Sequence, residues 1–408
     1  MALVTLESLP VELVEEIVAW LDFHDHCALR LTGRTISVKS SNAAFRNHFL
    51  SKKLEIAEAP LEQFVGVTKP GRFGLWIQHL TLYAPAVQPN IEGEVTGELF
   101  PIRPRIIELL VQGFENIRDN SPHDEPLSIT LRVHGEGVQR DVADKVFRVT
   151  LSALRSTGLP ILSLDAFADG FYHRPTGHCS FPISEISEAL DGGSTADLTR
   201  LATAFRTCKK ICLSLAHYVY DFDAESIREF DLRPDAYSAL PPGYEEARES
   251  TRSLCEFLKL CAPNLEELHL SWEYDDFEET AGVVEELYFF RRVAASCQFP
   301  NLKRCTLCHL RMSEATLLEF FCHLTRLEYL RLEYIAVDGG YDPFFRLLST
   351  MMPELNYLHL QSIFDDTAVL RYPREPPENR IPHPKNTLRF PGIIRRGADA
   401  RRLVVARY

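Results

Sequence analysis

The chain has 408 residues, 45% apolar and 25% charged, with 44 Lys plus Arg against 57 Asp plus Glu. That is the balance of a globular protein with two or three domains, or of one small module on a long array. A formal charge of −13 argues against general polyanion binding, and with no run of 18 apolar residues a membrane span is not expected.

The first ten residues hold no basic segment leading into an apolar run, so no secretory signal is expected. Residues 8–22 (SLPVELVEEIVAWLD) read as a short amphipathic helix. Pro10 suits its first position, where a missing N–H has no partner to lose, and Glu12, Glu15 and Glu16 lie toward the positive end of the dipole. Leu13, Ile17 and Leu21 recur at i, i+4 and i+8, with Val14 and Val18 widening the stripe and Trp20 beside it. A second helix is predicted over 25–36, with Asp25 as cap and Leu29, Leu31 and Ile36 apolar. A third is predicted from about Val38 to Leu54, with Phe45, Phe49 and Leu50 on one side. Three short helices bury little surface alone, and the stripe is wider than so small a module needs. Either the rest of the chain covers it or another protein does.

Leu9-Pro10, Glu12-Leu13, Ile17, Leu21, Asp25 and Leu29-Arg30-Leu31-Thr32 with Arg34 resemble the F-box. That family pattern is Leu-Pro-x-Glu-Leu, then Ile and Leu at helical spacing, then an Asp-Leu and Leu-Arg-Leu stretch. The resemblance covers residues 5–50; His26 stands where the family usually has Leu, and Gly33 where a small polar residue or Cys is common. It implies the substrate-recognition subunit of an SCF-type cullin–RING ubiquitin ligase. Residues 1–55 would dock a Skp-type adaptor, and through it the cullin, with Leu9, Pro10, Leu13, Ile17, Leu21, Leu29 and Leu31. The chain itself would be no enzyme. The alternative is a non-ligase interaction scaffold whose N-terminal helices only cap an array.

Four later segments align without gaps: NLEELHLSWE from 264, NLKRCTLCHL from 301, RLEYLRLEYI from 326 and ELNYLHLQSI from 354. Each carries L-x-x-L-x-L spacing, as Leu265/Leu268/Leu270, Leu302/Cys305/Leu307, Leu327/Leu330/Leu332 and Leu355/Leu358/Leu360. Their starts lie 37, 25 and 28 residues apart, and the last two match a 20–29-residue leucine-rich repeat. Weaker copies are Ile77/Leu80/Leu82, Leu159/Leu162/Leu164 and Cys208/Ile211/Leu213, and LSITLRV at 127–133 alternates like a strand. Helix-period segments intervene at 104–118, 142–156, 195–207, 250–262, 279–296, 313–325 and 343–352, the alternation of right-handed β–α stacking. The Asn that leucine-rich repeats place after L-x-L-x-x is missing; Phe167, Glu273, Leu310, Ile335 and Ile363 occupy its place, so the turns must be irregular. The expected fold is therefore α/β: a small three-helix module, then a degenerate leucine-rich-repeat-like β–α solenoid over 56–366. Polar, Pro-containing stretches at 86–103 and 220–248 read as insertions on it.

Residues 367–391 hold six Pro and are expected to be extended. The last twenty residues carry Arg389, Arg395, Arg396, Arg401, Arg402 and Arg407 against one acid, Asp399. Docking of this tail on the protein's own acidic array is the favoured reading, ahead of a solvated tail and of nucleic-acid binding.

Few motifs suggest chemistry. Cys305, Cys308 and His309 spell the haem-attachment string C-x-x-C-H, but inside a strand two thiols three residues apart face opposite ways, so core packing is the reading. His173, His178 and Cys179 lack the partners that a closed metal site needs and read as a loop. The other Cys, ten in all, form no disulfide framework and suit a reducing cytoplasm and/or nucleus. Gly192-Gly193 with Ser194 and Thr195 reads as a helix entry. The acidic run Glu273–Glu279, with Tyr274 and Phe277 inside it, reads as a solvated loop or a contact for a basic segment. No G-x-S-x-G, Walker-type or H-E-x-x-H motif occurs, and no metal or cofactor is expected. A protein substrate is expected on the strand face opposite the inward Leu residues, through His269, Arg304, Tyr329, Arg331, Glu333, Tyr357 and His359.

Overall fold

In the computed structural model, described over residues 5–41, 45, 47–86, 103–121, 126–135, 140–168, 179–182, 186, 190, 194–216, 244–272, 282–365, 368–372, 376, 379 and 392–405, the alternating segments are strands paired in chain order. The N-terminal module is α1 (Val11–Val18), α2 (Phe23–Leu31) and α3 (Arg34–Lys39). There follow β1 (Ser51–Glu55), α4 (Glu58–Val67), β2 (His79–Pro85), α5 (Pro104–Asn120), β3 (Leu127–His134), α6 (Arg140–Thr157) and β4 (Ile161–Ala166). Next come β5 (Phe181–Pro182), α7 (Thr195–Phe205), β6 (Lys210–Ala216), α8 (Tyr244–Cys261), β7 (Glu267–Trp272), α9 (Gly282–Ser296) and β8 (Arg304–Ser313). The order closes with α10 (Glu314–Phe321), β9 (Tyr329–Asp338), α11 (Asp342–Met351), β10 (Tyr357–Asp365), β11 (Ala368–Val369) and β12 (Gly392–Arg396).

The result is a mixed α/β architecture with one twelve-stranded sheet. Its main path runs β1-β2-β3-β4-β6-β7-β8-β9-β10, every neighbouring pair parallel, with β5 parallel to β6. Successive helices pack beside one another through aromatic pairs: Phe205 on Phe257, Phe290 on Phe320 and Phe321 on Phe344, with ring centroids 4.9, 4.8 and 5.1 Å apart. Between helices and strands lies one continuous apolar core, in which Leu268, Leu270, Cys305, Leu307, Leu330, Leu332, Leu358 and Leu360 are fully buried.

The strong repeats pair in the expected register, Leu268 to Cys305 to Leu330 to Leu358. One weaker copy slips. Leu164, not Leu162, aligns with Ile211 and Leu268, because the pairing of β3 with β4 shifts between Leu127 and Ser128 and leaves Leu162 as the extra, half-buried residue. In place of the missing Asn, three strands carry a left-handed residue at one level: His309 (φ 55°), Tyr334 (φ 53°) and Ser362 (φ 51°). Each resets the alternation by one position, so that Leu310, Met312, Ile335, Val337 and Ile363 face the core again. The His309 and Tyr334 rings stack there at 4.5 Å.

Two expectations for the N-terminal region are corrected. The second expected helix, 25–36, is broken at Thr32–Gly33, so that Arg34–Lys39 is a separate α3. The third expected helix is helical at Phe45 and Asn47, but its end runs into Ser51–Glu55, which is instead β1, bonded along β2. The second helix begins at Phe23 with Asp22 as its cap, the carboxylate accepting from the Asp25 amide at 2.8 Å. The Arg-rich tail is partly sheet. β12 adds antiparallel to β10, Arg395 is buried, and Arg401 donates to the Pro353 carbonyl at 2.7 Å, so backbone pairing rather than charge attaches it. Of the stretches read as insertions, 87–102 and 220–243 lie outside the described residues, while 244–248, read as part of the second, belongs to α8. The acidic run 273–279, His173, His178, Gly192, Gly193, Arg389, Arg407 and most of 373–391 also lie outside them.

Gly113 of α5 lies against the Phe64 ring of α4. A Cβ there would lie 2.3 and 2.6 Å from the Phe64 ring of α4, which is itself fully buried. Gly113→Ala should therefore destabilise by about 1–3 kcal/mol, the usual cost of overpacking, although Ala is otherwise the better helix former. Gly66→Ala, with nothing within 4 Å, should be neutral or stabilising; urea midpoints of the two variants check both.

Candidate functional site

Two surfaces stand out, one on the N-terminal module and one on the open face of the sheet. The module folds around Val14, Val18, His26, Ile36 and Phe45, all buried. Because Val14 and Val18 turn inward, the neighbouring stripe of α1 turns outward: Leu13 is 46% exposed, Ile17 39%, Trp20 90% and, from α2, Leu31 88%. Pro10, Leu6, Val11 and Val38 are also exposed, while Leu9, Leu21 and Leu29 are half-buried. Lys39 fixes the entry to α1 by donating to the Glu7 and Leu9 carbonyls at 2.8 and 2.7 Å. The module meets the rest of the fold where Phe49 packs edge-on against Trp76 at 6.3 Å, away from the exposed stripe. The exposed apolar side chains of α1, the residues just after it and α2 make this a candidate docking surface.

His26 sits at the centre of this module. Its Nε2 lies 2.9 Å from the Ser40 carbonyl, its ring packs on Phe45 at 4.6 Å, and Nδ1 is buried without a hydrogen-bond partner. Burial holds its pKa below the usual imidazole value of 6.5, with smaller contributions from His48 and Arg30 in the same direction.

On the sheet, the side chains opposite the core form three rows. The first runs Lys210, Glu267, Arg304, Tyr329, Tyr357, Arg396 across six paired strands. Glu267 bridges Lys210 at 2.7 Å and Arg304 at 3.7 Å. Arg304 lies over the Tyr329 ring at 4.4 Å, and Tyr329 stacks face to face on Tyr357 at 4.3 Å. Burial and the neighbouring phenol push the Tyr357 hydroxyl up. The centre of the row is thus the stack Arg304–Tyr329–Tyr357, with Arg396 on the next strand, presenting phenol and guanidinium donors.

The second row is Asp165, Cys212, His269, Thr306, Arg331, His359. Asp165 is held bidentately by Arg132 at 3.2 Å. Burial pulls His269 down to about 4 and leaves its Nε2 without a partner, so this imidazole is neutral. In the third row Ser271, Cys308 and Glu333 are buried rather than exposed, and His359 of the second row is buried with them. The Glu333 carboxylate pairs with Arg331 at 2.7 Å, and the Cys308 thiol lies 3.9 Å from its other oxygen. His359 Nε2 lies 3.3 Å from the same carboxylate and 3.3 Å from the Gln361 side-chain oxygen, its hydrogen-bond partner, and burial holds its pKa below the usual imidazole value. Of the expected substrate contacts, then, Arg304, Tyr329 and Tyr357 form one outward platform. Arg331 and Glu333 form an ion pair beside it, in the next two rows of the same face, with His359 against them, and His269 stands apart. Arg396 and Lys210 were not expected; alternation in GIIRR, once read as a strand, identifies Arg396. Cys305 faces the core and Cys308 faces Glu333, as their odd spacing requires. Among the described residues, no three His, Cys, Asp or Glu side chains are grouped to hold a metal, and no helix is long and apolar enough to cross a membrane.

Residues 6–32 match the family model of the F-box domain. The N-terminal module is therefore an F-box domain and the chain an F-box protein; the match ends before the sheet begins. No curated protein matches the chain.

Because the folded pKa of His26 lies below its unfolded value of 6.5, the unfolded chain takes up the proton first. Stability of the module should be full above pH 6.5 and decline as the pH falls below it. In His26→Leu this decline should be reduced, as amide hydrogen exchange in α1–α3 at pH 7.5 and 5.5 would measure.

Proposed function

We propose that this F-box protein is a substrate receptor of an SCF-type cullin–RING ubiquitin ligase, and that it is not itself a catalyst. F-box domains typically bind Skp-type adaptors, and here the carrying observation is the outward apolar stripe of Leu13, Ile17, Trp20 and Leu31 within the matched residues. Leu9, Pro10, Leu21 and Leu29 border that stripe, and through the adaptor the cullin and a conjugating enzyme would be recruited. The rival reading, in which the helices merely cap an array, requires the stripe to pack on the sheet. Leu13, Ile17, Trp20 and Leu31 are instead exposed, 39% or more each.

The β–α units from β1 to β10 are in this reading an irregular leucine-rich-repeat-like solenoid. Its L-x-x-L-x-L strands stack in chain order, each carries its core residues on one side, and the left-handed positions His309, Tyr334 and Ser362 serve in place of the Asn ladder. The face away from the core would hold a protein substrate, with the Arg304–Tyr329–Tyr357–Arg396 row at its centre. Arg and Tyr are the residue types that dominate binding hot spots. A cytoplasmic or nuclear location follows from the same reading.

Leu13→Asp with Ile17→Asp should leave the sheet folded, since both positions are exposed, and should lower adaptor affinity by at least about a hundredfold. Calorimetry with the purified adaptor checks this; undiminished binding would sink the ligase reading. Arg304→Ala with Tyr329→Ala should weaken substrate capture by about thirtyfold, the equivalent of roughly 2 kcal/mol, while adaptor binding persists. The readout is the set of proteins retained by variant and wild type in parallel pull-downs.

A further inference from the structure

Cys255 in α8 and Cys297, the residue after α9, face each other between two successive helices, with their Sγ atoms 3.6 Å apart. All ten Cys are free thiols, and this pair is separated by 42 residues of sequence. Ser296 adds a third polar group. Its hydroxyl lies 3.0 Å from the Cys255 sulfur and donates to the Arg292 carbonyl at 2.6 Å, which leaves its oxygen to accept the Cys255 proton. The pair is buried but lies at an edge, since Ser296 and Gln298 on either side of Cys297 are exposed.

We propose that Cys255 and Cys297 form a peroxide-oxidisable dithiol, a site of reversible covalent modification that staples α8 to α9. Cys255 is the nucleophile. Its thiolate attacks one oxygen of a hydroperoxide, the O–O bond breaks, and the leaving alkoxide or hydroxide takes up a proton, giving Cys255 sulfenic acid. Cys297 then attacks the sulfenic sulfur, an S–S bond forms, and the hydroxyl leaves as water with the Cys297 proton. In balance, two thiols and one hydroperoxide give one disulfide, one alcohol or water, and one further water. The sulfurs need to close from 3.6 Å to about 2.05 Å, a movement that side-chain rotation and a small helix shift supply.

The roles follow from the surroundings. The Cys297 thiol, which can donate to the neighbouring sulfur, and the nearby Lys259 stabilise a Cys255 thiolate, bringing that thiol down to about 6, and the same contact with Cys255 pushes Cys297 up. Elsewhere burial acts alone or dominates: Cys208 is pushed up to about 12, and Cys261 and Cys305 are also raised. Those thiols are inert packing groups. Cys305 and Cys308, although closer in sequence, point to opposite sides of their strand.

The test is graded treatment of the full-length protein with hydrogen peroxide, followed by alkylation and non-reducing peptide mapping by mass spectrometry. The expected product is a Cys255–Cys297 cross-linked peptide, lost on addition of dithiothreitol. Cys297→Ala should instead leave a sulfenic acid on Cys255, trapped as a dimedone adduct. The wild-type mapping needs no variant to fold. Absence of the cross-link at peroxide doses that already oxidise the half-exposed Cys27 and Cys322 overturns the proposal. So does a dominant disulfide between any other pair.

Discussion

The sheet depends on one constraint: its three longest strands, β8, β9 and β10, have to keep their apolar side chains on the helix side for longer than strict alternation allows. Cys305 and Leu307 satisfy a period of two, but Leu310 and Met312 follow out of phase with them. A single left-handed residue at 309 restores the phase, and because Tyr334 and Ser362 do the same at equivalent positions, the strands bend together and stay in register. A non-glycine residue in this conformation costs on the order of 1 kcal/mol or more, and it persists only where the surroundings over-determine it. Here the surroundings are the buried residues before each kink, Cys305 and Leu307, Leu330 and Leu332, Leu358 and Leu360, and the apolar residues after it, Leu310 and Met312, Ile335 and Val337, and Ile363. A buried Leu, Ile, Val or Met is worth about 1.5–3 kcal/mol. The parallel order of the strands and the single helical layer follow, since each return path has to cross the same covered face.

The two candidate surfaces arise in opposite ways. On the F-box domain, a small core admits only a few side chains, and the wide apolar stripe of α1 has nowhere to go but outward. On the sheet, the open face is polar throughout, and its character comes from neighbouring strands placing like with like. Tyr329 meets Tyr357, Glu267 meets Lys210 and Arg304, and Glu333 meets Arg331 and His359. The buried Glu333 carboxylate lies further along the same face and holds Arg331 in the row next to the platform.

Much of this was legible in the amino-acid order. The four strong L-x-x-L-x-L segments carry enough apolar residues at fixed offsets to specify their mutual register without any structure. The Leu-Pro-x-Glu-Leu string likewise marks the domain that the family comparison finds at 6–32. What failed did so for physical reasons. Leu162 misled because a bulge is invisible to a pattern that counts positions. Phe49, Leu50 and Leu54 mimicked helix spacing while the backbone after Leu50 was already committed to pairing with β2. Glu333 and His359 read as exposed because alternation says which face a residue is on, and nothing about how deeply its neighbours cover it. The Arg-rich tail was read by its charge, whereas the main chain of Gly392–Arg396 is what attaches it.

The arrangement of β1 and β12 bears on solubility. A long parallel sheet ends in two rows of unpaired amides and carbonyls, each a template on which another molecule can continue the ladder. At one end the border strand is short, and Ser51, Lys52 and Lys53 are exposed along it, so a joining strand would have to desolvate two ammonium groups. At the other end the chain reverses direction, and β12 occupies the hydrogen-bonding edge of β10 from the opposite sense, a polarity that a further β–α unit cannot match. One end is guarded by charge and the other by direction, so a stack that would otherwise have no intrinsic stopping point is kept from growing into a fibre.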